Sequence, residues 1–130
     1  MNRRGLFVAT LALAALPALA RADERKKGGG ENFIQFDTLS ATILRANGRR
    51  GVITVEVGID VPDAGLHTRA VQSTPLLRAA YSEILRTYAA GLQPGVLPNA
   101  DYLSRELQRQ TDMALGRPGA VLLLGTILVN

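Results

Sequence analysis

The sequence predicts an α+β domain in which a small sheet, a β-hairpin plus a C-terminal strand, is covered on one face by two helices. Three observations support this prediction. Apolar residues alternate on either side of an Asn-Gly pair at 47–48, two amphipathic segments of helical periodicity follow, and the chain closes on an uncharged apolar stretch. A chain of 130 residues has room for one such domain, in the order β-β-α-α-β.

Residues 1–22 have the features of an export signal that is cleaved off. Arg3 and Arg4 form a positive start, and the apolar run after them is shorter than the ~20 residues that a membrane-spanning helix needs. Ala20 and Ala22 form an A-x-A pattern, which predicts cleavage after the second alanine. The arginine pair also fits a twin-arginine signal, although any export signal begins with basic residues. An uncleaved membrane anchor is the alternative, and cleavage implies a periplasmic protein.

The formal net charge of +4 does not indicate a nucleic-acid partner, because three of the arginines lie in this signal. From residue 23 onwards the chain has 12 basic and 11 acidic residues, and it contains no tryptophan for stacking on bases. The sequence has no cysteine and one histidine, which excludes disulfides, thiol nucleophiles and multi-histidine metal centres. We therefore expect no nucleic acid, no metal and no cofactor.

Residues 23–32 are predicted to be a flexible linker. A charged run followed by three glycines offers no apolar area that folding could bury. The remaining residues, 33–130, are predicted to form a single α+β domain.

The first two strands are predicted at 33–44 and 52–61. In the first strand the apolar positions change parity at 37–38, which indicates a bulge or bend. The Asn-Gly pair at 47–48 then makes the hairpin turn. In the second strand every second residue is apolar, so the sheet should have one dry face and one wet face.

Two helices follow the hairpin. Residues 66–73 suit either a short helix or an irregular segment. The main helix begins at Thr74-Pro75, where the threonine can cap and the proline fits the first turn, and its apolar stripe should pack on the dry face of the sheet. A loop rich in proline and glycine leads to Asn99, which is predicted to cap the second helix.

The last strand, 120–129, is uncharged and apolar on both faces. Such a strand must be covered on both faces, and one layer of helices covers only one of them. The second face is therefore either the centre of the monomer or an interface with another protein. Leu122, Leu124 and Leu128 occupy alternate positions and are the candidate interface residues.

No motif for enzymatic chemistry accompanies the polar residues. His67, Asp60, Asp63 and Tyr88 are available, but the sequence contains no nucleophile elbow, phosphate loop or paired carboxylates. We therefore predict a protein without catalytic residues. A small carrier of an apolar ligand, held between the helices and the sheet, is the alternative function, although a filled core would have the same composition.

Five segments also carry a family resemblance when they are taken in order. These are FIQFDTLSATIL, GVITVEVGIDV, TPLLRAAYSEILRTYA, YLSRELQRQTDMAL and AVLLLGTILVN. They resemble the two strands, two helices and terminal apolar strand of the periplasmic domain of the flagellar basal-body-associated FliL family. The resemblance implies a non-enzymatic scaffold near the flagellar stator, either a homo-oligomer or a partner of a membrane complex. Members of that family usually keep a membrane helix, whereas this chain has a predicted cleavable signal.

Overall fold

A computed structural model describes residues 30–130 as a four-stranded sheet and three helices. The predicted signal and most of the predicted linker, residues 1–29, lie outside the described residues. The strands are β1 (Phe33–Gln35), β2 (Leu39–Leu44), β3 (Arg50–Asp60) and β4 (Val121–Val129), and the helices are α1 (Ala64–Gln72), α2 (Thr74–Gly91) and α3 (Ala100–Leu115). The predicted α+β class, with a hairpin, a C-terminal strand and helices on one face, is confirmed.

Strand β3 is the centre of the sheet. β4 runs antiparallel along one side of it, from Ile53 to Asp60. On the other side, β2 pairs antiparallel with residues 50–55, and the Phe36 N–H donates to the carbonyl of Val57 at 3.0 Å just after β1. The predicted first strand is therefore split into β1 and β2, and the predicted bend at 37–38 is confirmed.

The hairpin between β2 and β3 closes through the predicted Asn-Gly pair. The side chain of Asn47 accepts the N–H of Arg49 at 3.0 Å, and Gly48 has a φ of +79°. No residue other than glycine has a positive φ within residues 30–130, so the turn is not the two-residue type in which both central residues are left-handed. Arg45 and Arg49 pair through their backbones at 2.8 Å, which leaves a three-residue loop with glycine at its left-handed position.

The three helices lie on the inner face of the sheet, where the alternating apolar residues of β3 are buried. α2 packs on β2 and α3 packs on β4, while α1 contacts the other two helices. The uncertain segment at 66–73 is thus helical. Asp63 begins α1 by accepting the N–H of Leu66 at 2.8 Å, as an N-cap residue does.

The start of α2 differs from the prediction. Ser73 ends α1 and is also the N-cap residue of α2, so Thr74 is the first helical residue and not the cap. The hydroxyl of Thr74 donates to carbonyl oxygens of α1, including that of Val71 at 2.9 Å. Helix α3 begins as predicted, because the side chain of Asn99 accepts the N–H of Tyr102 at 3.0 Å.

A buried hydroxyl network joins the two long helices. Tyr81 of α2 is fully buried, and its hydroxyl donates to Thr111 of α3, which in turn donates to the carbonyl of Leu107 at 2.7 Å. The ring of Tyr81 also meets Phe36 edge-on, with centroids 5.2 Å apart. Every hydroxyl in this network has a partner, so burying it costs little. Burial raises the pKa of Tyr81 to about 12.

Alkaline pH should destabilise the fold through Tyr81. Its pKa is about 12 in the folded chain and about 10 when the chain unfolds. Between these values only the unfolded chain loses the proton, so the free energy of unfolding should fall as pH rises, by roughly 2–3 kcal/mol in all. Urea unfolding at about pH 9 and pH 11 should show about half of this loss, since pH 11 lies midway between the two pKa values. Tyr81→Phe should remove this part of it, and an equal fall in wild type and variant would contradict the assignment.

Gly51 allows the closest backbone approach in the sheet. The residue next to it, Val52, exchanges two backbone hydrogen bonds of 3.0 Å with Asn130. A Cβ atom on Gly51 would lie 2.8 Å from the side chain of Arg45 and impossibly close to the carbonyl oxygen of Asn130. The backbone oxygen cannot move away without breaking the pairing of the chain end.

Gly51→Ala should therefore lower the free energy of unfolding by about 1–3 kcal/mol, because the end of β4 must shift. Gly91→Ala is the matched control, since nothing lies within 4 Å of a Cβ atom there. That change, at the last residue of α2, should be neutral or should stabilise by up to about 1 kcal/mol. Chemical denaturation of both variants provides the comparison, and equal stability of the two would disprove the close approach.

Candidate functional site

The outer face of the sheet is the candidate site, because all three helices lie on the inner face. Residues that pair across antiparallel strands point to the same face. The register therefore places Leu128 beside Thr54, Leu123 beside Gly58, and Val121 beside Asp60, all on the outer face.

The prediction that Leu122, Leu124 and Leu128 share one face is wrong. Leu122 is 6% exposed and belongs to the core, and Leu124 is half-buried against it. They pair with Ile59 and Val57, which belong to the inner face of β3. Of the three predicted interface residues, only Leu128 lies on the outer face.

A β-bulge is the physical reason for this error. Gly125 and Thr126 of β4 together stand opposite the single residue Glu56, so the alternation of β4 shifts by one position between Leu124 and Ile127. The carboxylate of Glu56 stabilises the bulge by accepting the N–H of Thr126 at 3.1 Å. A glycine inside an apolar strand is the sequence signal that indicates such a bulge.

The corrected outer face of β4 is apolar and open to solvent. Val121 is 52% exposed, Leu123 44% and Leu128 55%. Val52 of β3 and Leu44 of β2 are exposed on the same face, with Thr42, Thr54 and Glu56 between them. The alternative that this face forms the centre of the monomer is therefore wrong for residues 30–130. We call Val52, Val121, Leu123 and Leu128 the outer patch.

The free edge of β4 adjoins the outer patch. β4 is hydrogen-bonded to β3 on one side, and its other edge begins beside α3. There the amide of Gln108 donates to the carbonyl of Ala120 at 2.7 Å and accepts the N–H of Leu122 at 2.8 Å. The side chain of Gln108 thus makes the two hydrogen bonds that a neighbouring strand would make with Ala120 and Leu122. Beyond Leu122, no residue of the described chain is hydrogen-bonded to this edge.

A groove lies where the end of α2 meets the start of α3. The rings of Tyr88 and Tyr102 stack there with centroids 5.7 Å apart, and the hydroxyl of Tyr88 accepts the N–H of Asn99 at 2.7 Å. The groove has a volume of about 560 Å³, and Val96 and Glu106 are among its lining residues. Sequence reasoning missed it, because nothing in the spacing of the two tyrosines shows that they stack.

Of the four polar residues considered for catalysis, Asp63 and Tyr88 have other roles in the fold. Asp63 caps α1 and pairs with Arg117 at 2.9 Å, and the N–H of Leu66 and this arginine lower the pKa of its carboxyl group. Tyr88 anchors the loop before α3, as described above. Among residues 30–130, no three acidic or histidine side chains come close enough together to hold a metal ion.

Two further findings concern membrane-spanning helices and similarity to known proteins. None of the helices in residues 30–130 combines the length and the hydropathy needed to cross a membrane. Comparison of the chain with protein-family models, with curated proteins and with solved structures gives no match. The FliL resemblance thus stays a prediction from the sequence.

Proposed function

We propose that this chain is an exported, non-enzymatic interaction protein of the bacterial periplasm, which binds a partner through the outer patch and the free edge of β4. The observation that carries the proposal is the exposure of about half of Val121, Leu123 and Leu128 on an uncharged edge strand. Exposed apolar residues that are grouped on one face of a sheet in this way are typical of interaction surfaces. The predicted signal supports export, and the FliL resemblance supports a scaffold role beside the flagellar stator.

The unpaired edge of β4 constrains how a partner could bind beside this surface. Natural proteins protect edge strands with charges, prolines or bulges, and β4 has only its bulge and the contact with Gln108. An added strand would pair with the free N–H and C=O groups, and its outward side chains would lie beside those of Val121, Leu123 and Leu128. A second copy of the chain can supply that strand in a two-fold symmetric pair, and a membrane-complex protein is the other partner class.

The energetics favour a partner that uses both features. Full burial of a valine or leucine side chain contributes about 1.5–3 kcal/mol, so covering the exposed half of one contributes on the order of 1 kcal/mol. The outer patch alone would therefore support only weak association, since association itself costs several kcal/mol. Backbone pairing along β4 supplies the additional contacts and fixes the register.

Leu123→Lys should weaken association about tenfold or more, because it places an unpaired charge in the outer patch. Leu76→Lys on α2 is the matched control, since Leu76 is 59% exposed and lies outside the sheet. Sedimentation of the purified proteins reports self-association, and in-cell crosslinking of a C-terminally tagged chain with mass spectrometry reports other partners. A monomeric wild type that captures no partner would contradict the proposal, as would equal behaviour of the two variants.

Export can be tested at the arginine pair and the alanine pair. Replacing Arg3 and Arg4 together by lysine keeps the charge and should abolish export only if a twin-arginine receptor reads the signal. The N-terminus of the exported protein should be Asp23, immediately after Ala22. N-terminal sequencing of the periplasmic fraction checks both points, and an intact N-terminus in the membrane fraction would instead show an anchor.

A carrier of a small apolar ligand is the second candidate function. The groove beside Tyr88 and Tyr102 favours it, because concave sites with aromatic walls and a few polar groups suit small ligands. Its place differs from the predicted one, since the space between helices and sheet is occupied by buried side chains. Organic extraction of the purified protein followed by mass spectrometry should reveal a bound molecule, and an empty extract would reject this candidate.

A further inference from the structure

One end of the molecule combines exposed arginines with exposed aliphatic side chains. The hairpin turn contributes Arg45, Arg49 and Arg50, and the loop between α2 and α3 contributes Val96 and Leu97. We call these five residues the tip. Arg45, Val96 and Leu97 line one depression of about 160 Å³, and a Cβ atom on Gly95 would lie 3.5 Å from that of Ala46, so the turn and the loop are neighbours.

The charge of the tip is not neutralised within the described residues. The ion pairs of residues 30–130 use Arg86, Arg109 and Arg117, and none uses a tip arginine. The chain segments that meet at this end, 38–55, 87–100 and 127–130, contain no aspartate or glutamate. Two acidic side chains lie outside these segments towards α3: Asp101 is in its first turn, and Glu106 lines the neighbouring groove together with Val96. The tip is therefore a local excess of positive charge on a chain that is otherwise nearly balanced.

The apolar part of the tip is held outwards by its loop. Leu97 is 85% exposed, which is the highest value for any large apolar side chain in residues 30–130. The loop is fixed on both sides of it, because the N–H of Val96 donates to Gln93 at 3.1 Å and the N–H of Asn99 donates to Tyr88 at 2.7 Å. Prolines at 94 and 98 restrict the backbone further. A protruding leucine on an anchored loop suits insertion into an apolar medium.

We propose that the tip docks on the surface of an anionic phospholipid membrane. Arg45, Arg49 and Arg50 would contact lipid phosphates, and Leu97 with Val96 would enter the boundary between head groups and acyl chains. Basic residues and a shallow apolar insertion are the two forces that hold peripheral proteins on such membranes, and each alone is weak. Charge complementarity selects this occupant: the tip combines three exposed arginines with a protruding leucine, and none of its five residues is an aromatic that would stack on bases. The inference uses residues outside the outer patch and does not rest on the proposed function.

A tryptophan at the tip tests the proposal locally. The sequence has no tryptophan, so Leu97→Trp places a single reporter there, in the purified protein as the cell processes it. Its emission should shift to the blue with vesicles of phosphatidylcholine and phosphatidylglycerol, and brominated lipids should quench it. Leu76→Trp, at an exposed position of α2, should show neither the blue shift nor the quenching. The readout is confined to position 97, so attachment through residues 1–29 would not reproduce it.

Substitution of the arginines tests the charge. In the Leu97→Trp background, Arg49→Gln and Arg50→Gln should each lower the vesicle partition coefficient about fivefold. Arg78→Gln, an exposed arginine of α2 without an ion pair among the described residues, is the matched control and should leave it unchanged. Inorganic phosphate is added alone to distinguish a free anion from a lipid head group. The proposal is overturned if the emission of Leu97→Trp does not shift, or if phosphatidylcholine vesicles alone or phosphate alone shift it equally. It is also overturned if Leu76→Trp shows the same shift, or if Arg78→Gln weakens binding as much as Arg49→Gln and Arg50→Gln.

Discussion

The rest of the structure depends on β3, because every other strand is hydrogen-bonded to it. One side of this strand pairs with β4, and the other side is divided between β2 and the region after β1. Its inner side chains are buried under the helices, whereas its outer face has no helix over it and includes the exposed side chains of Val52 and Glu56. This asymmetry directs α2 and α3 to the same face, where Tyr81 and Thr111 join them. The exposed large apolar side chains of the sheet are consequently on the opposite face or at the ends of the strands.

Much of the fold could be predicted from the sequence, because single elements follow local rules. The alternation in β3, the Asn-Gly turn and the cap at Asn99 each depend on a few adjacent residues, and the structure has all three. The sequence does not decide whether residues 66–73 form a helix, because their short apolar pattern also suits an irregular segment. The capping contact of Asp63, at the first turn of α1, becomes evident only in the folded chain.

The candidate site was less predictable, because it depends on the phase of a strand relative to its partner. The apolar character on both faces of β4 left open whether its second face is an interface or the centre of the monomer, and the structure has that face exposed. The assignment of leucines to that surface failed at Leu122 and Leu124, because the bulge opposite Glu56 shifts the alternation by one residue and only Leu128 lies on the outer face. In a stretch where nearly every residue is apolar, polarity gives no marker of such a shift. The groove and the tip were missed because each combines residues that are distant in sequence.

The side chain of Gln108 limits the geometry of any strand that joins β4. Its amide occupies the carbonyl of Ala120 and the N–H of Leu122, so an added strand can form backbone hydrogen bonds with β4 only beyond Leu122. The bulge at Gly125 and Thr126 then divides the remaining length into two short stretches with opposite phase. A partner strand must therefore pair with an edge that is blocked at one end and interrupted by a bulge, and not with a regular ladder of hydrogen bonds. Generic amyloid-like stacking, which needs a long, flat and repetitive edge, is disfavoured by the same two features.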